Sequence, residues 1–113
     1  MSYDLMQELE TKVRQLEVAV KQLRVSGTKY AEAERDYKVL LRQECLRLRD
    51  EGMAVGMIDK CAYGIPSVAK ARFDRDVAEV VYKANQESIN STKLQLRLIE
   101  SQIQREWSVT KNE

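Results

Sequence analysis

Histidine is absent from the 113 residues, and proline occurs once, at Pro66. The first absence removes the commonest general base, the commonest zinc ligand and the usual charge switch near neutral pH. The second, together with only 4 glycines and 6% aromatics, argues against a turn-rich β-sandwich or barrel, which needs breakers at its many strand ends. Cysteine is scarce too: Cys45 and Cys61 are too few for a disulfide framework and lack the further ligands of a structural zinc site. They read as reduced packing thiols, since no histidine is present to activate either as a nucleophile. No apolar run approaches the ~20 residues that span a bilayer, and Met1 to Glu10 has no positive n-region. Neither a transmembrane helix nor a signal peptide is therefore expected, and the chain reads as cytoplasmic.

An excess of one charge is missing as well. Lys plus Arg number 19 against 18 Asp plus Glu, with 10 of each sign in residues 1–52 and 9 basic against 8 acidic in residues 53–113. Capture of nucleic acid by the whole domain is disfavoured, so any such binding falls to a local patch. The carboxylate neighbours Asp50 and Glu51, or Asp74 and Asp76, do not converge on one side of a helix. The segment Gly52-Met-Ala-Val-Gly56 lacks the Lys-Ser/Thr ending of a phosphate loop. No catalytic, cofactor-binding or metal-binding residues are assigned, and a non-enzymatic protein is expected.

What remains is a charged chain, 33% Asp, Glu, Lys and Arg, with helical periodicity throughout. Leu9, Val13, Leu16, Val20 and Leu23 recur at steps of four and three, the spacing of an amphipathic helix with a coiled-coil seam. Gly27 falls on the next seam position, so a kink or break is expected at residues 26–28. A second stretch carries Tyr30, Tyr37, Leu41, Cys45 and Leu48 along one stripe, broadened by Leu40 and Leu46, and Gly52 stands where a C-terminal cap belongs. Residues 52–66 form a turn region with room for a short helix around Val55 to Tyr63. From Ser67 no Gly or Pro interrupts Phe73, Val77, Val80, Val81, Ala84, Ile89, Leu94, Leu96, Leu98, Ile99, Ile103 and Trp107. A helix of ~40 residues is about 60 Å long.

These lengths predict an all-α single domain over residues 1–113, a long antiparallel, coiled-coil-like helical hairpin. Its first arm is 3–51, its tip 52–66, its second helix 67–107, and 108–113 is a disordered tail. Two helices do not cover the apolar width near Leu94 to Trp107, so a homo-oligomeric bundle is expected, a dimer or higher. Its interface is assigned to Leu9, Val13, Leu16, Val20, Leu23, Leu96, Ile99, Ile103 and Trp107.

Two surfaces invite a partner. Arg35, Lys38, Arg42 and Arg49 form a basic stripe, although Glu34, Asp36, Glu44 and Asp50 interleave with it and a solvated, ion-paired face is the competing reading. Tyr63, Ile65 and Phe73 cluster near the tip, where the alternative is simple packing at the bundle's end. Leu48 to Gly52, Ile58, Gly64-Ile65 and Arg72-Phe73 resemble the helix-turn-helix of resolvase-type DNA-binding domains. That resemblance implies a recognition helix from about Ser67, with Lys70, Arg72 and Arg75 toward DNA and Asp74 and Asp76 opposing the contact.

The stretches Tyr30-Ala-Glu-Ala-Glu-Arg-Asp-Tyr37, Leu46-Arg-Leu-Arg-Asp-Glu-Gly-Met53, Val68 to Lys83 and Leu96 to Trp107 look like small helical early-region proteins of Gram-positive phages and prophages. The resemblance covers roughly residues 28 to 107 and transfers no functional residue. It implies an accessory role in the host cell cytoplasm: a host-takeover or anti-defence binder of a host or phage protein or, alternatively, a DNA-binding helper in recombination or regulation.

Overall fold

Between Tyr3 and Asp50 the only helix breaker is Gly27, and a single glycine costs a long helix only about 1 kcal/mol. The computed structural model, which describes residues 3–112, accordingly has one helix, α1, over Tyr3–Asp50. The break expected at 26–28 is not there. A short α2 follows at Val55–Tyr63 and a long α3 at Pro66–Asn112. No strand occurs among the described residues. α3 runs through 108–112, where a disordered tail is expected from sequence, and Glu113 lies outside the described residues.

Gly52 ends α1 as its sequence position predicts. With φ at 90°, it occupies the left-handed region that an L side chain resists. The Gly52 N–H donates to the Arg49 carbonyl at 3.0 Å and the Met53 N–H to that of Leu48 at 3.1 Å. This is a Schellman cap, and the hydrophobic contact that accompanies such caps is present too, because Met53 packs on the cluster that contains Leu48. α3 begins on Pro66, one residue before the expected start. Proline suits this first helical position because its missing N–H has no partner there to lose.

The chain divides into two compact units, one of Met1–Arg24 with Lys83–Glu113, the other of Val25–Tyr82. In the second, α1 and α3 run antiparallel: Gly27 lies against Tyr82, and the Arg75 guanidinium lies 4.6 Å from the centroid of the Tyr37 ring. α2 closes the hairpin over Leu48, Ile58 and Ala62, with Leu41, Cys45, Met53, Cys61 and Ile65 packed around them. In the first unit α1 and α3 are again paired, and the Asn85 amide donates to the Gln22 carbonyl at 3.4 Å.

Burial identifies the seams. On α3 the covered positions are Val68, Ala71, Arg75, Ala78, Glu79 and Tyr82 in the second unit, and Asn85, Ile89, Thr92, Leu96, Ile99, Ile103 and Glu106 in the first. Glu79 apart, they alternate steps of three and four, a seven-residue repeat. The expected apolar row meets this seam at Ile89, Leu96, Ile99 and Ile103 and departs from it elsewhere: Phe73, Val77, Val80, Val81, Leu94, Leu98 and Trp107 are exposed. Size decides the outcome in the second unit. α1 presents two rings there, Tyr30 and Tyr37, which lie against the Tyr82 ring and the Arg75 guanidinium of α3. Tyr82 fits where α1 has Gly27, whose added Cβ would lie 3.1 Å from the Tyr82 ring.

The seam of the first unit shifts likewise. Leu9, Leu16, Val20 and Leu23 are half-buried as expected, but Val13 is exposed and the second column is Leu5, Lys12 and Ala19. The assigned interface positions Leu96, Ile99 and Ile103 are covered by the chain itself, leaving Val13 and Trp107 as the exposed members of that set. The polar stretch around Asn85 to Thr92 does enter the seam. Thr92 satisfies its hydroxyl by donating to the Ser88 carbonyl at 2.9 Å.

The glycines provide a paired test of this description. Gly52→Ala is expected to cost about 1 kcal/mol or more, because its φ is positive. Gly56→Ala, inside α2 with open space at its Cβ position, should stabilise by roughly 0.5 kcal/mol through helix propensity. Urea unfolding of both variants gives the two signs.

Candidate interaction surfaces

Side-chain chemistry sets what the surfaces offer. Among the described residues no group of His, Cys, Asp or Glu is placed to hold a metal ion. Cys45 and Cys61 are free thiols, half-buried against the cluster of Leu48, Ile58 and Ala62. An open groove of about 430 Å³ lies in the first unit and is lined by Arg14, Gln15, Val18, Gln22, Ser88 and Thr92 among others. It is shallow and mixed in polarity, with no convergent charged pair.

The three cations considered for DNA are already engaged. Arg75 is turned inward, its side chain only 21% exposed. It stacks on Tyr37 and donates from Nε and Nη2 to Asp76 Oδ1 at 3.0 and 2.8 Å. Its bond to Asp76 raises its pKa further. Expecting Arg75 to face a phosphate is therefore corrected: the Tyr37 ring opposite it makes the seam the better site for a guanidinium. Lys70 is exposed and bonds Asp74 at 2.8 Å, one helical turn on. Arg72 lies over the Tyr63 ring at 5.6 Å.

The tip residues separate. Ile65 packs against the Leu48 cluster and is not an open contact, whereas Tyr63 and Phe73 are exposed. Ile65 turns in because the α2–α3 turn brings it back onto Ala62, to whose carbonyl its N–H donates at 3.2 Å. Tyr30, half-buried beside Tyr82 with ring centroids 5.9 Å apart, has its phenol pKa raised by burial and then by Glu34 and Glu79. Both aromatic residues belong to the seam.

The basic stripe stays outside. Arg35 bonds the neighbouring Asp36 at 3.1 Å and Lys38 pairs with Glu34 at 3.4 Å. Arg42 and Arg49 are exposed and make no ion pair with the described residues. Arg47, outside the expected stripe, bridges Glu44 and Glu51, each at 2.7 Å, and those bonds raise its pKa. Beside the arginine column runs a second one that the sequence reading did not isolate. Val39 and Leu46, each four residues beyond an arginine of the column, are 51% and 44% exposed. Leu46 is expected from sequence to broaden the core stripe, but α2 packs on the Leu41, Cys45 and Leu48 side and leaves it out. The signal lay in Val18, Val25, Val39 and Leu46, all exposed and separated by seven, fourteen and seven residues.

No family model, curated protein or solved structure matches the chain.

The seam cation and the surface cation should differ in their contribution to stability. Arg75→Ala is expected to cost about 1–2 kcal/mol through the lost ring contact and the packing of its stem. Lys70→Ala should stay within roughly 0.5 kcal/mol. Chemical denaturation of the two variants compares them directly.

Proposed function

We propose that the chain is a non-enzymatic binding protein that docks an acidic, partly apolar segment of another protein along the outer face of α1 in the second unit. The observation that carries the reading is the interdigitation of Arg35, Arg42 and Arg49 with the exposed Val39 and Leu46. A face built only for solvent has no use for two large aliphatic side chains between its arginines. An apolar-and-acidic helix would bury those side chains and meet the unpaired guanidiniums of Arg42 and Arg49, which suit carboxylates bidentately. A nucleic-acid backbone fits less well. Glu32, Asp36 and Asp50 border the same face, and the whole chain carries a net charge of only +1. No observation favours the helix-turn-helix alternative, because Arg75 serves the seam and Lys70 its ion pair. The biological setting, host takeover or anti-defence, is the one the phage resemblance implies.

The test compares capture from nuclease-treated host extract by the wild-type chain and by Arg42→Glu/Arg49→Glu, with a photo-crosslinker at Val39 to report contact. The expected result is a stoichiometric protein that crosslinks at Val39 and is retained at least about tenfold less by the reversed pair, with helicity unchanged. Capture that ignores the charge reversal, or recovery of nuclease-sensitive nucleic acid alone, overturns the proposal.

A further inference from the structure

In the first unit, the α3 residues of Lys83–Glu113 turn one side to α1 and leave the other open. Away from the covered positions runs a second row: Glu87, Ser91, Leu94, Leu98, Ser101 and Arg105, at steps of four, three, four, three and four. All six are exposed, Leu94 by 56% and Leu98 by 61%. This is the spacing of a coiled-coil seam. Leucine is a strong helix former, so two exposed leucines alone would reflect propensity. The order of the whole row says more. It reads acid, serine, leucine, leucine, serine, base, so its apolar and hydroxyl positions are palindromic and its two charges are opposite.

We propose that this face of α3 seats a second copy of the chain, packed antiparallel about a two-fold axis level with Leu96. In that register Leu94 meets Leu98 of the second copy, Ser91 meets Ser101, and Glu87 meets Arg105, and the symmetry makes each pairing twice. Each pairing joins the two alternating columns of the row, as the layers of an antiparallel coiled coil require. Four leucines form the apolar centre, the serines beside them are small enough to let the helices approach, and a carboxylate with a guanidinium closes each end. Neither Glu87 nor Arg105 makes an ion pair with the described residues, so both are available to the second copy. Ser91 accepts from the Gln95 amide at 3.4 Å, which leaves its own hydrogen to donate across the contact. Other arrangements fail on the same residues. The parallel one stacks Glu87 on Glu87 and Arg105 on Arg105, and a slip of one heptad sets Leu94 against Arg105 or Leu98 against Glu87. The one like-charge approach, Arg97 to its own copy, lies on the flank, where water and salt screen it. Every residue of this contact belongs to one helix of the first unit, whereas the face proposed for the acidic partner lies on α1 in the second, so either can hold without the other.

The contact is short, at the low end of specific interfaces, so the association belongs to the micromolar-to-millimolar range. Sedimentation equilibrium of the full chain from roughly 10 μM to 1 mM tests it. The wild-type mass should rise from 13.1 kDa toward twice that value, and Leu98→Glu, at an exposed position, should hold the chain at the monomer with its circular dichroism intact. Glu87→Arg should weaken the dimer about tenfold, and Glu87→Arg/Arg105→Glu should restore it, because the reversed pair is attractive only in the antiparallel register. A wild-type mass that stays at the monomer value throughout overturns the proposal. So does a dimer indifferent to Leu98→Glu, which would place the contact elsewhere, as at the exposed Trp107. A charge swap that fails to restore association overturns it as well, and that arm stays decisive if Leu98→Glu unfolds the chain.

Discussion

The structure of the second unit depends on fitting large rings against small neighbours. Tyr82 on α3 lies against the bare backbone of Gly27 and beside the Tyr30 ring, and Tyr37 on α1 takes the Arg75 guanidinium against its face. Close-packed interiors tolerate neither a void nor an overlap, so this match sets both the axial rotation and the register of α3. With the alanines turned inward, the valines and Phe73 have nowhere to go but out. The exposed apolar row is thus a consequence of the internal packing, and it makes the helix apolar on two opposite sides.

Polar groups inside the seams refine that register. Arg75 enters beside Tyr37, Asn85 reaches the Gln22 carbonyl, and Thr92 bonds back to Ser88. Among the described residues no buried side-chain polar atom is left without a partner. A polar residue at a seam position contributes less stability than a leucine would, but it is costly to misplace, and sliding the helices by one turn would strand several at once. The exposed ion pairs on the outside, such as that of Lys38 with Glu34, contribute little to stability.

Much of this was legible from the residues and some was not. The all-helical class, the cap at Gly52, the short α2 and the packing role of both thiols follow from breaker positions and periodicity. The seam phase did not follow, because hydrophobicity favoured Phe73, Val77 and Val80 over Ala71, Arg75 and Ala78. Only knowledge of which α1 side chains lie opposite reverses that preference, and such pairwise size matching is not visible along one helix. The same blindness made Gly27 look like a break, when its lack of a side chain accommodates a ring across the seam. For the surfaces, the arginine column was visible as a seven-residue recurrence. Its apolar companion was hidden because Leu46 reads as core until the placement of α2 is known. Arg75 read as a solvent cation because nothing local announces a tyrosine opposite.

The stacking of Arg75 on Tyr37 also fixes how the molecule responds to its surroundings. A guanidinium does not give up its proton in any ordinary medium, and with no histidine in the chain no side chain has an ordinary titration range centred near neutrality. The shifts of Tyr30, Arg47 and Arg75 each move away from neutrality. Arg75 therefore keeps its charge beside Tyr37 from mildly acidic to mildly alkaline conditions. Occupancy of the outer face of α1 by the partner proposed above would follow concentration and competition between binders, by mass action.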